Sequence, residues 1–558
     1  MSKKIKITDY FERKKPIINN DDKEDGNKTI GTVDNIDNSF IITTVDQNKD
    51  RMYRLSEILT DDNLCDLRNV DETFVYYRYP FKLDTIPIPL IDIDDDFVIP
   101  LNYILLPFQE TEQITYQNGK QTKWSLVKTV FANQILNIFQ LDKAIKTYNP
   151  SLQRLHFDIL TNYVHYQMDD DERRMFFDQI LPGIIRLALD LPRLIGFNLA
   201  NLEQYTPMTI FLSQQQISSL LANAFLCTYR PDFNRKERRC INFSSLFASD
   251  GCKPNKKFCK QEKLKCLLNY LRRVVEKTPI GVVSFERKVL RHHQQTDLEQ
   301  STKPITTFEF NHDRCLLKDG CDYSQVDFAH KYIGGGVLDQ GCVQEEILFV
   351  CCPELIVSKL ICAKLTDNEA IVITGIEQYN EYSGYAEKFR WQCSYEDKQH
   401  RDKYGRRFRQ VLAMDALYFH WSAKKSQYEK EKIDREIHKA MAAFQPERFL
   451  CSQSKLVTIT TGNWGCGVYN GDVKLKTLIQ IIAASESKRN LMYFTFDNRR
   501  LKNEFDQIKT LFETSEQPFT VGRLYRLLLQ YASQKQNENK NIDLVVLITE
   551  NILNTDDY

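Results

Sequence analysis

The sequence has no excess of charge of either sign, and it has no long apolar run. Lys plus Arg and Asp plus Glu each number 75 among the 558 residues, so the formal net charge is zero. The overall charge therefore does not predict a nucleic acid or a membrane surface as a partner, and a polyanionic ligand would need a local positive field. The most apolar helical run, residues 180–191, is interrupted by Pro182, Arg186 and Asp190. We therefore expect no membrane-spanning segment and no membrane partner.

The sequence also lacks an apolar signal-peptide core and Cys-x-x-Cys pairs. Its start, MSKKIKITDYFERKK, is basic and polar, and its 15 cysteines are scattered. Cys240, Cys252 and Cys259 lie in a Lys/Arg-rich segment, but their spacing fits no standard zinc site and no His lies among them. We interpret them as free thiols. The pattern predicts an intracellular protein of the nucleus, the cytoplasm or both, with reduced thiols.

Residues 1–54 contain few apolar anchors and many Asp, Asn and Lys residues, a composition that predicts a disordered tail. Within it, Ile7 stands three positions before the aromatic pair Tyr10 and Phe11, and a basic run follows. This pattern is similar to a sliding-clamp interaction box, in which one helical turn fills an apolar pocket, although Lys4 stands where such boxes usually have Gln. Two interpretations stay open: a replication sliding clamp as partner, or a basic tail that serves nuclear import or solubility.

Residues 55–280 show mostly helical periodicity. Apolar residues recur at helical spacing in three runs between residues 131 and 189. Ser213 and Gln216 form a capping box ahead of another stripe. Residues 234–265 are rich in Lys and Arg, and we interpret them as a solvated loop or as a track for a polyanion. A last helical stripe comprises Leu264, Leu267, Leu268, Leu271, Val274 and Val275.

The pattern changes at residue 281. Short β-rich runs follow one another, and helical segments such as residues 345–360, 472–487 and 521–534 separate several of them. Strands that alternate with helices predict an α/β domain over residues 281–558, with a sheet covered on both faces. The runs are GVVSFE, TTFEF, QVDFA, AIVITG, VLAMDAL, LVTITTG, LMYFTF and IDLVVLIT.

The densest group of candidate functional residues lies between residues 326 and 346. Three consecutive glycines remove every Cβ atom, so the backbone can adopt positive φ and lie directly against a ligand. Two adjacent glutamates follow, and they cannot share one face of a helix or a strand, which indicates different roles. The candidates here are Asp327, Gly334, Gly335, Gly336, Gln344, Glu345 and Glu346.

The three glycines, a short spacer and QEE resemble the signature of the poly(ADP-ribose) glycohydrolase family. The resemblance extends to residues 220–229, 270–287, 373–391, 461–472 and 493–496. It implies an α/β fold, a three-layer α/β/α macrodomain with a mixed sheet over residues 281–558, after a helical accessory domain over residues 55–280. It also implies a glycosidase that cuts ribose–ribose O-glycosidic bonds in poly(ADP-ribose) on modified proteins and releases ADP-ribose. We expect a monomer that needs no metal or other cofactor.

The resemblance further implies roles for the carboxylates. Glu346 would protonate the departing oxygen and then, as a base, activate water, since glycoside cleavage passes through an oxocarbenium-like state. Glu345 would bind a ribose hydroxyl, and Asp327 would hold the catalytic loop or the ribose. From spacing alone, QEE could instead be the exposed start of a helix. The rival functions are an ADP-ribose-binding macrodomain that cuts nothing and a hydrolase for mono-ADP-ribosyl protein.

A second group of candidates follows the run LVTITTG. Its glycines precede a helical segment, where bare backbone amides can bind a diphosphate, or they form only a tight turn. The spacing matches neither GxGxxG nor a P-loop. The resemblance assigns diphosphate contacts to Asn463, Trp464, Gly465, Cys466, Gly467 and Val468. It assigns a packing role to Tyr469, where the family usually has Phe. It assigns adenosine contacts to Tyr385 and Phe496.

Two positions depart from the family pattern. His330 stands where the family commonly has Asn; its imidazole can still bind ribose and adds a titratable group. Ungapped counting places Leu316 and Leu317 at the adenine-contacting pair, where the family has an aliphatic residue and then Glu. Either the adenine amine loses an acidic acceptor here, or the loop aligns with a gap.

Overall fold

The computed structural model describes residues 51–91, 102–111, 113–117, 119–230, 240–295, 297–452, 455–538 and 543–553. Ile7, Tyr10 and Phe11, on which the sliding-clamp interpretation depends, lie outside the described residues, as does most of the predicted tail. No helix in the described part is long and apolar enough to cross a membrane.

The strands of the structure coincide with most of the predicted β-rich runs. Seven of the eight runs from residue 281 onward contain a strand of the main sheet. The strands are β1 (Thr73–Val75), β2 (Tyr103–Ile104), β3 (Gln113–Tyr116), β4 (Gly119–Thr122), β5 (Leu199–Ala200), β6 (Met208–Ser213), β7 (Val282–Val289), β8 (Phe308–Asn311), β9 (Ser324–Ala329), β10 (Glu369–Gly375), β11 (Asn380–Ser383), β12 (Arg390–Ser394), β13 (Arg407–Asp415), β14 (Ile459–Gly462) and β15 (Leu491–Phe494).

The main sheet has nine strands in the order β1-β6-β7-β10-β13-β9-β14-β15-β8. Neighbours from β6 to β13 are antiparallel. Neighbours from β13 to β8, and the pair β1 and β6, are parallel. The sheet is therefore mixed, and its parallel half contains β9 and β14, the two strands that lead into the candidate sites.

Both faces of this sheet are covered, which explains why β10 is apolar almost throughout. Ile371 and Ile373 belong to one hydrophobic core, which also contains the helices before residue 281. Ala370 and Val372 point to the opposite face and belong to a second core, formed with later helices. Alternate residues of a strand face opposite sides, so a strand buried on both sides has no polar face.

The helices occupy both sides of the sheet. Ser213 caps its helix as predicted: its Oγ accepts from the Gln216 amide at 3.2 Å. The α-helices are α1 (Leu55–Ile58), α2 (Lys123–Val130), α3 (Ile138–Thr147), α4 (Asp158–Thr161), α5 (Asp170–Met175), α6 (Leu181–Leu189), α7 (Leu191–Leu194), α8 (Gln214–Phe225), α9 (Ser244–Phe247), α10 (Pro254–Glu276), α11 (Leu316–Asp319), α12 (Gln344–Cys351), α13 (Ser358–Ile361), α14 (Lys430–Phe444), α15 (Val473–Glu486), α16 (Arg499–Thr514), α17 (Val521–Glu538) and α18 (Leu544–Leu553).

Two interpretations of the sequence are wrong. The run IDLVVLIT was expected to be a strand, but residues 544–549 of it belong to α18, because Leu544, Leu547 and Ile548 repeat at helical spacing and are buried. Of the Lys/Arg-rich residues 234–265, those before residue 240 lie outside the described residues. The described part is not one solvated loop or an exposed track, since α10 begins at residue 254 and buries Lys260 and Lys263. In the second case, tertiary contacts outweighed the polar composition.

The helical region and the sheet region are joined closely. β1 and β6 precede residue 281 and still pair within the main sheet. Residues 52–558 form one compact unit. The division at residue 281 stays a prediction.

Candidate active site

The loop between β9 and α12 carries the glycine run, and one amide side chain fixes the helix to the strand. Gln344 Oε1 accepts from the Phe328 amide at 2.8 Å, and its Nε2 donates to the Val326 carbonyl at 3.1 Å. Gln344 thus bonds along β9 much as a neighbouring strand would. This pairing sets the position of the first turn of α12, where the two glutamates follow.

Glu345 and Glu346 are buried and bind different parts of the glycine loop. Glu345 accepts from the amides of Gly334 and His330, the latter at 3.0 Å. Glu346 accepts from the Gly336 amide at 2.9 Å and, with its other oxygen, from the Val343 amide at 2.9 Å. QEE is the start of a helix, as one alternative held, but its three side chains are at most 7% exposed. The two glutamates therefore have distinct partners.

Gly335 lies between the two carboxylates. Its φ is +42°, and a Cβ atom there would stand 2.6 Å from Glu345 Oε2 and 2.6 Å from Glu346 Oε1. Positive φ is uncommon for residues with a side chain. The central glycine of the run is thus required by the carboxylates themselves and by the backbone conformation.

Asp327 adds a third carboxyl group beside this pair. It lies on β9, is fully buried, and neither of its oxygens has a hydrogen-bond partner in the described part of the chain. Burial and the charge of Glu346 raise the pKa of Asp327 well above its usual range. Burial and the charges of Asp327 and Glu346 do the same to the pKa of Glu345. Burial and the neighbouring carboxylates thus favour the neutral forms of Asp327 and Glu345.

Two lysines hold the glycine loop from behind. Lys263 of α10 donates to four carbonyls of the loop, those of Gly336 at 3.2 Å, Val337 at 2.8 Å, Asp339 at 2.7 Å and Gly341 at 2.5 Å. An ammonium has three N–H donors, so at least one of them is shared between two of the four carbonyls. Burial lowers the pKa of Lys263 to about 8, against the effects of Cys342, Glu346 and Asp339.

The second lysine is Lys359 of α13. Its ammonium donates to the carbonyl of Gly335 at 3.0 Å and to that of Ile333 at 3.3 Å. The glycine loop that precedes the two glutamates is therefore fixed from two helices, one of them in the helical region before residue 281.

The diphosphate loop, residues 463–471, follows β14 and precedes α15. Gly465 has φ +74°, and a Cβ atom there would lie 2.6 Å from the Cβ of Ala416. By contrast, a Cβ on Gly467 would meet nothing within 4 Å. Val468 is 69% exposed, so the tip of the loop faces solvent. This arrangement leaves backbone amides at the loop tip accessible to an anion next to a helix N-terminus.

A buried charge pair supports the base of this loop. Trp464 is fully buried and donates from Nε1 to the Met414 carbonyl at 3.0 Å. The Lys476 ammonium lies 3.9 Å from the centre of the Trp464 ring and pairs with Glu436. Trp464 and Cys466 are therefore parts of the loop's framework: Cys466 Sγ turns back to the Trp464 carbonyl at 3.4 Å.

Tyr385 and Phe496 form an exposed aromatic pair beside α12. Their ring centres lie 5.4 Å apart in an edge-to-face arrangement. The Tyr385 hydroxyl accepts from the Gln344 amide at 3.2 Å, and Phe496 is 68% exposed with φ +54°. Asn463 connects this pair to the diphosphate loop, since its Nδ2 donates to the Thr495 carbonyl at 3.4 Å.

Comparisons with known proteins agree with this geometry. The family model "Poly (ADP-ribose) glycohydrolase (PARG), Macro domain fold" matches residues 295–503, and "Poly (ADP-ribose) glycohydrolase (PARG), helical domain" matches residues 168–287. Poly(ADP-ribose) glycohydrolase 1 of Arabidopsis thaliana is 32% identical over 455 residues, which cover 66% of this chain and 80% of that protein. The chain belongs to the poly(ADP-ribose) glycohydrolase family.

Two further relatives have the same name. Probable poly(ADP-ribose) glycohydrolase 2 of A. thaliana is 32% identical over 65% of this chain and 80% of its own length. Poly(ADP-ribose) glycohydrolase 1 of Caenorhabditis elegans is 32% identical over 57% of this chain and 39% of its own length. The predicted family and the predicted fold, a helical domain followed by a macrodomain, are thus confirmed.

Most of the predicted site residues of this glycohydrolase family member lie in the two loops and the aromatic pair. His330 is half-buried; its amide binds Glu345, and its Nδ1 accepts from the Tyr332 amide at 3.1 Å. Leu316 packs with Met492 and Phe494, two alternate residues of β15. The adenine-binding role of Leu316 and Leu317, and the other residue roles, stay predictions.

Sequence reasoning missed the lysines. Lys263 repeats at helical spacing with Leu267 and Tyr270 on the buried face of α10, and a lysine within an apolar stripe was the available signal. Within the described residues, no group of His, Cys, Asp and Glu could hold a metal ion.

Replacement of Lys263 by methionine is expected to lower kcat by roughly 10- to 100-fold. The loop that binds Glu346 would lose the ammonium that donates to its carbonyls, so Glu346 would be less well positioned. A well-positioned general acid contributes about 10²–10⁴-fold to the rate. Steady-state kinetics on poly(ADP-ribose) would measure it. Lys123→Met is the matched control: that lysine is also buried and donates to the Asn149 side chain and the Tyr229 carbonyl, away from the loop. Equal kcat values for both variants would contradict the positioning role of Lys263.

Proposed function

We propose that this chain hydrolyses the ribose–ribose O-glycosidic bonds of poly(ADP-ribose) on modified proteins and releases ADP-ribose, with Glu346 as general acid and then base. One observation carries the assignment: two buried glutamates enclose the positive-φ glycine of a GGG loop, in a chain of the poly(ADP-ribose) glycohydrolase family. Burying carboxyl groups is unfavourable unless they are paired or neutral. A module that only binds ADP-ribose has no need for three of them.

The chemistry follows from the positions of these groups. Glu346 gives its proton to the departing ribose oxygen while the bond from that oxygen to the anomeric carbon breaks. The resulting carboxylate then takes a proton from water, whose oxygen attacks the anomeric carbon. Glu345 binds a ribose hydroxyl and orients the sugar. Asp327 holds the loop or the ribose from β9, and burial with the charge of Glu346 raises its pKa above the usual range, which favours its neutral form.

The two loops divide the ligand between them. The glycine loop lies against the ribose at the scissile bond, the diphosphate loop binds the two phosphates through backbone amides, and the Tyr385–Phe496 pair contacts the adenosine. The nuclear or cytoplasmic location and the monomeric state stay predictions.

The test is release of ADP-ribose from purified poly(ADP-ribose), followed by chromatography, beside the same assay on a protein that carries single ADP-ribose units. We expect ADP-ribose from the polymer. A chain that binds the polymer but leaves its length unchanged would be a reader. Release from the singly modified protein alone would mean that the enzyme acts on single ADP-ribose units and not on the polymer.

A further inference from the structure

An exposed segment beside the diphosphate loop has the composition of a polyanion-binding surface. Residues 418–425, here called the aromatic–basic segment, connect β13 to α14. Trp421 is 71% exposed and Tyr418 56%. The Lys424 ammonium lies 5.3 Å from the centre of the Trp421 ring. The segment contains Lys424, Lys425 and His420 and no Asp or Glu, so it supplies a local positive field that the neutral chain as a whole lacks.

Hydrogen bonds fix this segment to the diphosphate loop. The Phe419 amide donates to the Tyr469 carbonyl at 3.1 Å, and the Asn470 side chain donates to the Phe419 carbonyl at 2.9 Å. Just beyond the segment, Gln427 accepts from the Asp472 amide at 2.6 Å. The aromatic–basic segment is therefore held at the end of the loop, next to the N-terminus of α15.

The aromatic–basic segment and the glycine loop begin at the same edge of the sheet. β13 pairs in parallel with β9, with Asp415 opposite Ala329, so the chain after β13 and the chain after β9 start side by side. The ring of Tyr418 meets that of Tyr469 in the diphosphate loop edge-on, with centres 5.8 Å apart. The Phe496–Tyr385 pair adjoins Asn463, the first residue of that loop, and the Gln344 amide. The two aromatic surfaces thus adjoin opposite ends of the diphosphate loop.

We propose that the aromatic–basic segment binds the ADP-ribose unit on the leaving side of the scissile bond, with the adenine stacked on Trp421 and the diphosphate paired with Lys424. This inference rests on the proposed function. The oxygen that Glu346 protonates belongs to that neighbouring unit, so the unit must leave the site beside the glycine loop, and the aromatic–basic segment begins at the same edge of the sheet. Each unit of the polymer has one adenine and two negative phosphates, which suit an aromatic ring and an ammonium.

The test compares ADP-ribose with the two-unit oligomer as ligands of the Glu346→Gln variant, which is expected not to cut the oligomer. Calorimetry should show the oligomer binding at least about five-fold more tightly, the lower limit for one stacked base. Adding Trp421→Ala should reduce this ratio to about one without changing the affinity for ADP-ribose. Adding Lys424→Glu should also reduce the ratio, most strongly at low salt, because phosphate contacts weaken as salt rises.

Two control variants match these changes. Tyr166 is an aromatic residue of the helical region with 70% exposure, and Lys120 is an exposed lysine of β4. Tyr166→Ala and Lys120→Glu should leave the ratio unchanged. Since Trp421 is exposed, we expect its replacement to leave the melting temperature unchanged as well.

The outcomes separate this inference from the proposed function. An oligomer advantage that persists in both Trp421→Ala and Lys424→Glu, or that is absent from the start while the wild type still releases ADP-ribose, overturns the inference alone. An advantage that depends on Trp421 in a wild type that cuts nothing supports the surface and rejects the hydrolysis. Failure to bind either ligand overturns both.

Discussion

Replacement of Glu346 by glutamine is expected to abolish release of ADP-ribose from poly(ADP-ribose) while ADP-ribose still binds. Glutamine has nearly the same shape and can still accept from the Gly336 or the Val343 amide, but it has no proton to give to the departing oxygen. Loss of a general acid costs about 10²–10⁴-fold in rate. Product chromatography would measure turnover, and calorimetry with ADP-ribose would measure binding.

A second buried glutamate provides the matched control. Glu354 is fully buried and binds Gln214 and Tyr379, away from the glycine loop. Burial and the charge of Glu377 raise the pKa of Glu354 to about 8, and a glutamine of the same size can still accept from Gln214 and Tyr379 while it loses only the bond from the Glu377 amide. Glu354→Gln should therefore keep its activity. Wild-type turnover by Glu346→Gln would mean that another residue is the general acid, and Glu345 would be the next residue to replace.

Most of the sheet could be predicted because its signal is local. β10 is a β-branched and apolar run that ends at Gly375, and a strand buried on both faces requires such composition. The run IDLVVLIT has the same composition, yet its residues 544–549 fold as part of α18. A short apolar run does not separate a strand from a buried helix, and here the packing of Leu544, Leu547 and Ile548 decides.

The same distinction holds for the candidate site. The GGG and QEE sequences lie close together within residues 334–346, so the resemblance reached Gly335, Glu345 and Glu346 directly. Lys263 lies more than seventy residues before Gly336, and only the packing of α10 on the glycine loop brings them together. That the two glutamates enclose one glycine also depends on the path of the loop. Adjacent side chains on a helix diverge, but here the chain passes between them.

Replacement of Gly335 by alanine is expected to reduce turnover by about 10²-fold or more, which is comparable to the loss of a general acid. We also expect it to weaken ADP-ribose binding. Valine should act more strongly, since it is larger. The added Cβ would lie too close to both carboxylates, so Glu345 and Glu346 would have to move together. The φ of +42° adds a strain of about 1–3 kcal/mol for a residue other than glycine. The two carboxylates are thus a reason for glycine at this position besides the expected approach of the backbone to a ligand.

Gly119→Ala is the matched control, because it adds the same methyl group away from both candidate loops. A Cβ there meets only the Tyr116 carbonyl at 3.6 Å, an ordinary contact, and its φ lies outside the left-handed region. We expect this variant to bind ADP-ribose and to cut the polymer within about two-fold of wild type, as is usual for surface changes. Rates and melting temperatures of both variants should be measured together. Unimpaired turnover by Gly335→Ala would mean that the glutamates act from other positions than those seen here, and the assignment of Glu346 would fail with them.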